Sequence, residues 1–234
     1  MIRCLAPNGG VRLIKVSVMS ATVEQLDEKV TSAQLADALD SLGRRDQVMH
    51  AAIVPLALGT RALGRAATVA FAPVDRDSDR PYDAAISLID GLAPGSIVVI
   101  SSGGSTSTAF WGELFSAAAI GRGAAGAVCD GYVRDSDKVR ALSFPVFAAG
   151  TRPIDFRARM EISVTDQMVV CGGVRVHPGE LVLADDDGVV VVPGDVEQEA
   201  TTRANQRARS ETTVLDELLA GATLDSVWNR YGVL

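Results

Sequence analysis

Apolar positions along the chain follow two periods in turn. Over residues 31–43, Leu35, Ala38, Leu39 and Leu42 fall on one helical face. Thr31 or Ser32 can cap the start of that helix and Gly43 can stop it. Residues 66–72 and 96–102 then read as strands. The second holds Ile97-Val98-Val99-Ile100, a continuous apolar run of the kind expected when both faces of a strand are covered. A regular alternation follows: a Gly/Ser/Thr loop, a helix over 112–120, a strand over 125–129, a loop, a short helix over 137–142 and a strand over 146–149. Strand, helix, strand, helix, strand predicts parallel pairing through right-handed crossovers. Beyond Gly150 the pattern changes. Residues 168–176, 181–184 and 189–192 read as strands separated by turns at 177–180 and 185–188, spacings that suit antiparallel hairpins. The tail predicts a long polar helix over 195–219 and one or two more turns over 224–231. So much charge leaves that helix little to bury in its own chain, and it is expected to be free to lie across a neighbouring subunit.

The expected architecture is therefore α/β, with a mixed sheet and a C-terminal helical arm over 195–234. A length of 234 residues allows a sizeable core and favours one domain over two. Apolar residues make up 47% of the chain and aromatics only 5%, so helices and sheets must pack closely through Ala, Val and Gly. The net charge of −7 argues against a broad nucleic-acid footprint, although a local site can still hold an anion. No apolar run approaches the ~20 residues that span a bilayer, so no membrane partner is expected. In the opening stretch, Pro7, Gly9 and Gly10 interrupt the apolar residues, which weakens a secretory-signal reading. Cys4, Cys129 and Cys171 are odd in number and widely spaced. They read as reduced, mostly buried thiols, in keeping with a cytoplasmic location.

Two stretches carry candidate chemistry. The first is the loop 101–108 with residues 109–115 after it. A loop that leaves a parallel strand for a helix is a usual ligand crevice. Free amides at the helix start, Gly112 to Phe115, would favour a carboxylate or phosphate. The plain alternative is a flexible loop in which Thr108 or a neighbour caps the helix, and this stretch alone does not separate the two. It lacks the Gly-Lys-Ser/Thr of a Walker loop. The second stretch is Asp130-Gly131-Tyr132-Val133-Arg134-Asp135, directly after the next strand. In a regular strand Arg134 and Asp135 would face opposite ways, but Gly131 predicts an irregular path that lets both face one cleft. Arg134 offers a planar fork for a carboxylate or enolate oxygen. Asp135 offers a hard oxygen for Mg²⁺ or Mn²⁺. The plain alternative is a local ion pair, with Asp135 capping the helix at Ser136. Twenty residues separate Glu113 from Arg134, about the length of one helix, one turn and one strand. Both loops should therefore emerge at the same sheet edge. Glu113 also has a plain role, as an acid stabilised by the helix dipole.

In their order and spacing, these residues resemble the RraA-like superfamily from Ser32 onward. That superfamily includes 4-hydroxy-4-methyl-2-oxoglutarate aldolases, oxaloacetate decarboxylases and the regulator of ribonuclease E activity A. The matching pieces are residues 32–39, 63–69, Trp111-Gly112-Glu113-Leu114, Asp130 to Asp135, Pro178-Gly179-Glu180 and 184–193. The resemblance implies one RraA-like domain across 1–234, with an N-terminal extension over 1–30. It also implies a β/β/α sandwich of the swivelling-domain kind, assembled as a homotrimer or dimer of trimers. The aldolases carry an Asp, twenty residues and then Arg-Asp. Glu113 departs from the first position, by a carboxylate one methylene longer. By resemblance, Asp135 binds the divalent metal (Mg²⁺ or Mn²⁺) and Arg134 binds substrate. The backbone of Gly112, Glu113, Leu114 and Phe115 holds the pyruvyl carboxylate, and Glu211 is supplied by an adjacent subunit.

The implied function is metal-dependent cleavage of 4-hydroxy-2-keto diacids to release pyruvate, with oxaloacetate decarboxylation as a side activity. Glu113 acting through water is the first candidate for the base, and Glu211 the next. The alternative function is a non-catalytic regulator on the same fold that binds a ribonuclease. A methyltransferase reading finds no S-adenosylmethionine-type glycine turn. Lys138 reads as a solvated helix residue and not a Schiff-base lysine. His50 and His177 are too few and too ill-placed for a triad or a zinc pair. Asp185 to Gly188 reads as a turn, residues 75–80 as a solvated loop, and Trp111 and Trp228 as packing anchors.

Overall fold

A computed structural model describes residues 25–233. The chain runs α1 (Ser32–Ser41), β1 (Val54–Pro55), β2 (Ala62–Pro73), α2 (Asp83–Asp90), β3 (Ser96–Ser101), α3 (Glu113–Gly121), β4 (Gly126–Val133) and α4 (Ser136–Ala141). It continues through β5 (Val146–Thr151), β6 (Met160–Thr165), β7 (Val169–Cys171), β8 (Val174–Val176), β9 (Leu181–Asp185), β10 (Gly188–Val192), α5 (Glu197–Leu219) and α6 (Leu224–Tyr231). β2, β3, β4 and β5 lie side by side in parallel, and antiparallel β1, β6, β9 and β10 extend a mixed sheet in the order β1-β5-β4-β3-β2-β9-β10. β7 and β8 form a separate hairpin.

Every residue of β3 is buried, as its unbroken apolar run requires. On one face, Val98 and Ile100 pack with Ile89, Trp111, Ala119 and Val139 from the helical side. On the other, Ile97 and Val99 meet Val169, Cys171, Val182 and Val191 from the two hairpins. The outer side of β9–β10 is closed by α1 and α5, where Leu35, Leu39, Ala200 and Ala204 pack on Leu183 and Val192. The result is the expected β/β/α layering. α1 is held by a capping box: the Thr31 hydroxyl accepts from the Gln34 amide, and the Gln34 side chain accepts from the Thr31 amide.

Several elements differ from the sequence expectation. α2, β1 and β6 had not been expected, β2 begins at Ala62, and β4 runs on to Val133. Residues 168–176 form a hairpin instead of one strand, because Gly172 and Gly173 both take positive φ and turn the chain. α5 does bury a stripe in its own chain, namely Ala200, Thr201, Ala204, Asn205 and Val214. Asn205 ties this helix to the start of the described chain, donating to the Gln25 carbonyl and accepting from the Asp27 amide. Its small residues let α1 approach, and its charge is left to the outer face. Trp111 is a buried anchor, whereas Trp228 is half exposed. Cys129 and Cys171 are free and buried, and burial pushes both thiols up. Cys4 and most of the expected N-terminal extension (1–24) lie outside the described residues. No helix among the described residues is long and apolar enough to cross a membrane.

The irregularity expected at Gly131 is present. The register of β4 against β5 shifts between Cys129 and Tyr132. A Cβ at Gly131 would stand 2.4 Å from Ser102 Oγ and 2.8 Å from the Phe110 ring. Gly131→Ala should therefore lose about 2–3 kcal/mol in chemical denaturation, as overpacking does. Gly194→Ala, where an added Cβ meets nothing within 4 Å, should stay within about 0.5 kcal/mol. Equal, small losses in both variants would contradict the close packing at the bulge.

Candidate functional site

The parallel strands end at a common edge, where such sheets usually hold ligands. There the segment that leaves β3 returns to pair with the end of β4. The Phe110 amide donates to the Tyr132 carbonyl, and the Arg134 amide donates to the Trp111 carbonyl. On the opposite side, the Ala109 amide donates to the Ile154 carbonyl. These bonds place Gly112, the residue before α3, against the Arg134-Asp135 pair. A Cβ at Gly112 would lie 2.9 Å from Asp135 Oδ2 and 3.1 Å from Arg134 Cγ, so only glycine permits this approach without a shift. No side chain caps α3. Its first-turn amides and dipole therefore favour an anion at this point.

Asp135 adopts a left-handed conformation, φ 55° and ψ 37°, and its side chain does not cap α4. Aspartate tolerates this conformation better than most residues. The plain capping role is thus not realised, and its carboxylate is left at the cleft. Arg134 Nη1 stands 3.1 Å from Asp155 Oδ2, while Arg134 Nε is 3.7 Å from Asp135 Oδ2. Asp155 Oδ2 also accepts from the Tyr82 hydroxyl at 2.6 Å, and its Oδ1 accepts from the Arg157 amide at 3.1 Å. Burial alone would push the Asp155 carboxyl up. The hydrogen bonds from Tyr82 and the Arg157 amide, with the Arg134 charge, outweigh it and hold the group below the usual carboxylate range. Desolvation, and then the bond to Asp155, raise the Tyr82 phenol. Across the cleft, Lys138 Nζ lies 3.0 Å from Glu113 Oε2, a bond that raises the lysine.

Together these groups line a cleft of about 570 Å³. Its polar lining is Tyr82, Glu113, Arg134, Asp135, Lys138 and Asp155, set among Ile86, Phe110, Trp111, Leu114, Phe115 and Phe156. Among the described residues no three His, Cys, Asp or Glu side chains are grouped to enclose a metal. The oxygen donors on the cleft wall instead suit a hard cation that keeps most of its waters and takes one or two carboxylates. Of the cleft carboxylates, Glu113 is bonded to Lys138 and Asp155 to Tyr82, whereas Asp135 stands 3.7 Å from Arg134 Nε.

The structure brings Gly112, Glu113, Leu114, Phe115, Arg134 and Asp135 to one cleft, as their spacing predicts. It does not bring Glu211 there. That residue sits on α5, where its carboxylate accepts from Gln34 Nε2 at 2.6 Å and pairs with Arg207 Nε at 2.7 Å. The loop over 101–108 supports the fold. Ser102 donates from its amide and hydroxyl to Asp130 Oδ1, Arg152 holds the Thr106 carbonyl, and Thr108 is buried without capping α3. Lys138 is half exposed but bound to Glu113, not simply solvated. Sequence reasoning missed Tyr82, Ile86, Asp155 and Phe156. The first two lie on or beside the unexpected α2. Asp155 had no local signal, because the side chains that engage it, Tyr82 and Arg134, are distant in sequence.

A sequence profile of the RraA-like family, described as Aldolase/RraA, matches residues 32–191. A Halalkalibacterium halodurans protein named "Putative 4-hydroxy-4-methyl-2-oxoglutarate aldolase" is 30% identical over 190 residues, covering 80% of this chain and 85% of that protein. Protein DlpA of Legionella pneumophila is 28% identical over 225 residues, 96% of this chain, but the match spans only 36% of its length. Among solved structures, an uncharacterized Pseudomonas syringae protein superposes with a TM-score of 0.75 at 30% identity, covering 87% of this chain and 92% of that one. Streptomyces coelicolor RraAS2, described as an unusual member of the RNase ES inhibitor RraA family, gives 0.70 at 31% identity, covering 81% and 97%.

Proposed function

The chain belongs to the RraA-like family, and from that premise we propose that it is a divalent-metal-dependent lyase. Its reaction is cleavage of a 4-hydroxy-2-keto diacid to release pyruvate. The observation that carries this reading is the meeting of Arg134 and Asp135 with the start of α3 in one cleft. Asp135 would hold Mg²⁺ or Mn²⁺, with waters completing the coordination. When bound, such an ion supplies Lewis-acid polarisation of the 2-keto oxygen.

The chain's own groups supply the rest. Amides of the first turn of α3 bind the pyruvyl carboxylate and fix its direction. Arg134 faces the keto oxygen, where negative charge develops as the C3–C4 bond breaks, and stabilises it there. Glu113, acting through a water, takes the proton of the C4 hydroxyl, so that C4 leaves as a second keto acid. Lys138 fixes the direction of the Glu113 carboxylate. A proton returned to C3 completes pyruvate. Glu211 is an alternative base, supplied across an interface in a homotrimer or dimer of trimers. Oxaloacetate loses CO₂ through the same charge on the keto oxygen, so its decarboxylation is an expected side activity. The rival reading, a regulator that binds a ribonuclease, gives no role to an open carboxylate beside an arginine.

Pyruvate release from 4-hydroxy-4-methyl-2-oxoglutarate and from oxaloacetate, measured with Mg²⁺ and again with chelator, tests the reading. Chelation should abolish turnover, and Arg134→Ala or Asp135→Ala should each cost at least ~10²-fold. Turnover indifferent to both substitutions would refute the assignment. Gly112→Ala should also cost on the order of 10²-fold, because its Cβ displaces both side chains. Its stability should stay within about 1 kcal/mol, since the displaced atoms lie at the cleft surface. Full activity in that variant would contradict the geometry.

A further inference from the structure

Two carboxylates compete for the Arg134 guanidinium. Nη1 makes a close ion pair with Asp155 at 3.1 Å, whereas Nε stands off from Asp135 at 3.7 Å. A guanidinium fork prefers to grip a carboxylate through two parallel bonds. Asp135 is its sequence neighbour and already within reach, so an unrestrained Arg134 would close on it. The Asp135 oxygens would then be spent on arginine.

Asp155, the other acceptor, is held from several sides. Its side chain is about three-quarters buried, at 24% exposure. It is held by the Tyr82 hydroxyl on one oxygen and the Arg157 amide on the other. Its backbone is fixed too, in a bridge with Ala109. Tyr82 itself is packed edge-on against Phe156, with ring centroids 5.5 Å apart. Neither Asp155 nor Tyr82 belongs to the Arg-Asp motif, yet both line the same cleft.

Building on the lyase reading, we infer that Asp155, fixed by Tyr82, is a positioning residue that holds Arg134 off Asp135 and keeps the Asp135 carboxylate open to a divalent cation. The restraint is mechanical: it acts through the arginine and requires no contact between Asp155 and the ion.

Mn²⁺ titration of the full chain, followed by electron paramagnetic resonance or calorimetry without substrate, tests this. Asp155→Ala should weaken Mn²⁺ binding on the order of tenfold, the loss typical when a supporting partner of a metal ligand is removed. Tyr82→Phe should weaken it in the same direction by a smaller factor. Asp155→Asn keeps the side-chain shape and the acceptor for the Arg157 amide, so it serves if the alanine variant does not fold; it should also bind more weakly. The decisive arm is the cycle with Arg134→Ala. In that background, adding Asp155→Ala should change Mn²⁺ affinity less than about twofold, because no arginine remains to restrain. Unchanged binding in the single Asp155 variants would overturn the inference. So would the same tenfold loss in the Arg134→Ala background, which would mean that Asp155 acts through its own charge. A wild-type chain that binds no Mn²⁺ would instead remove the metal reading on which the inference rests.

Discussion

The candidate site depends on two backbones meeting with no side chain between them. The strip from Ala109 to Trp111 pairs with the end of β4, and Gly112 then passes within contact distance of Asp135 and Arg134. That approach sets the first turn of α3 against a guanidinium and a carboxylate from a different loop. It is made possible upstream by Gly131, which lets β4 bulge where Ser102 and Phe110 crowd it. Two glycines, nineteen positions apart in sequence, thus convert a regular parallel sheet edge into a cleft with a defined chemistry.

The charges in that cleft are arranged as restraints as much as ligands. Arg134 is drawn toward Asp155 and Lys138 toward Glu113. All four side chains keep some solvent contact, so these pairs contribute little to stability on their own. Their effect is to set directions. An arginine with two acidic neighbours has two resting positions, and the hydrogen bonds on Asp155 select one of them. The apolar wall of Phe110, Trp111, Phe115 and Phe156 lowers the local dielectric, which strengthens whatever charge interactions form there.

The fold was legible where the sequence carried an unambiguous pattern. The Ile97 to Ile100 run named the innermost strand, and the alternation after it named the parallel core. Met160, Ile162 and Val164 also alternate with period two, and β6 shows that alternation in its burial, but the run is short and bounded by no strong turn signal that would set it apart as a strand. α2 was harder, since only Ala85 and Ile89 are buried and the segment follows a charged loop. The polar look of α5 concealed a stripe of small buried residues, because alanine and threonine score weakly as core. At the site, spacing alone brought Glu113, Arg134 and Asp135 together. Asp155 was invisible because its meaning comes from Tyr82, seventy-three residues away, and from Arg134 in a third loop. Glu211 was proposed on resemblance, and within its own chain it braces α5 against α1.

On the proposed reading, Arg134, Asp135 and the start of α3 form one binding centre for a keto acid and a divalent ion. Diffraction from crystals soaked with Mn²⁺ and pyruvate, recorded at a wavelength where manganese scatters anomalously, tests it most directly. The expected result is an anomalous peak in coordination contact with the Asp135 carboxylate and a pyruvate carboxylate on the amides that begin α3. Manganese and pyruvate bound elsewhere, with this cleft holding only water, would contradict it.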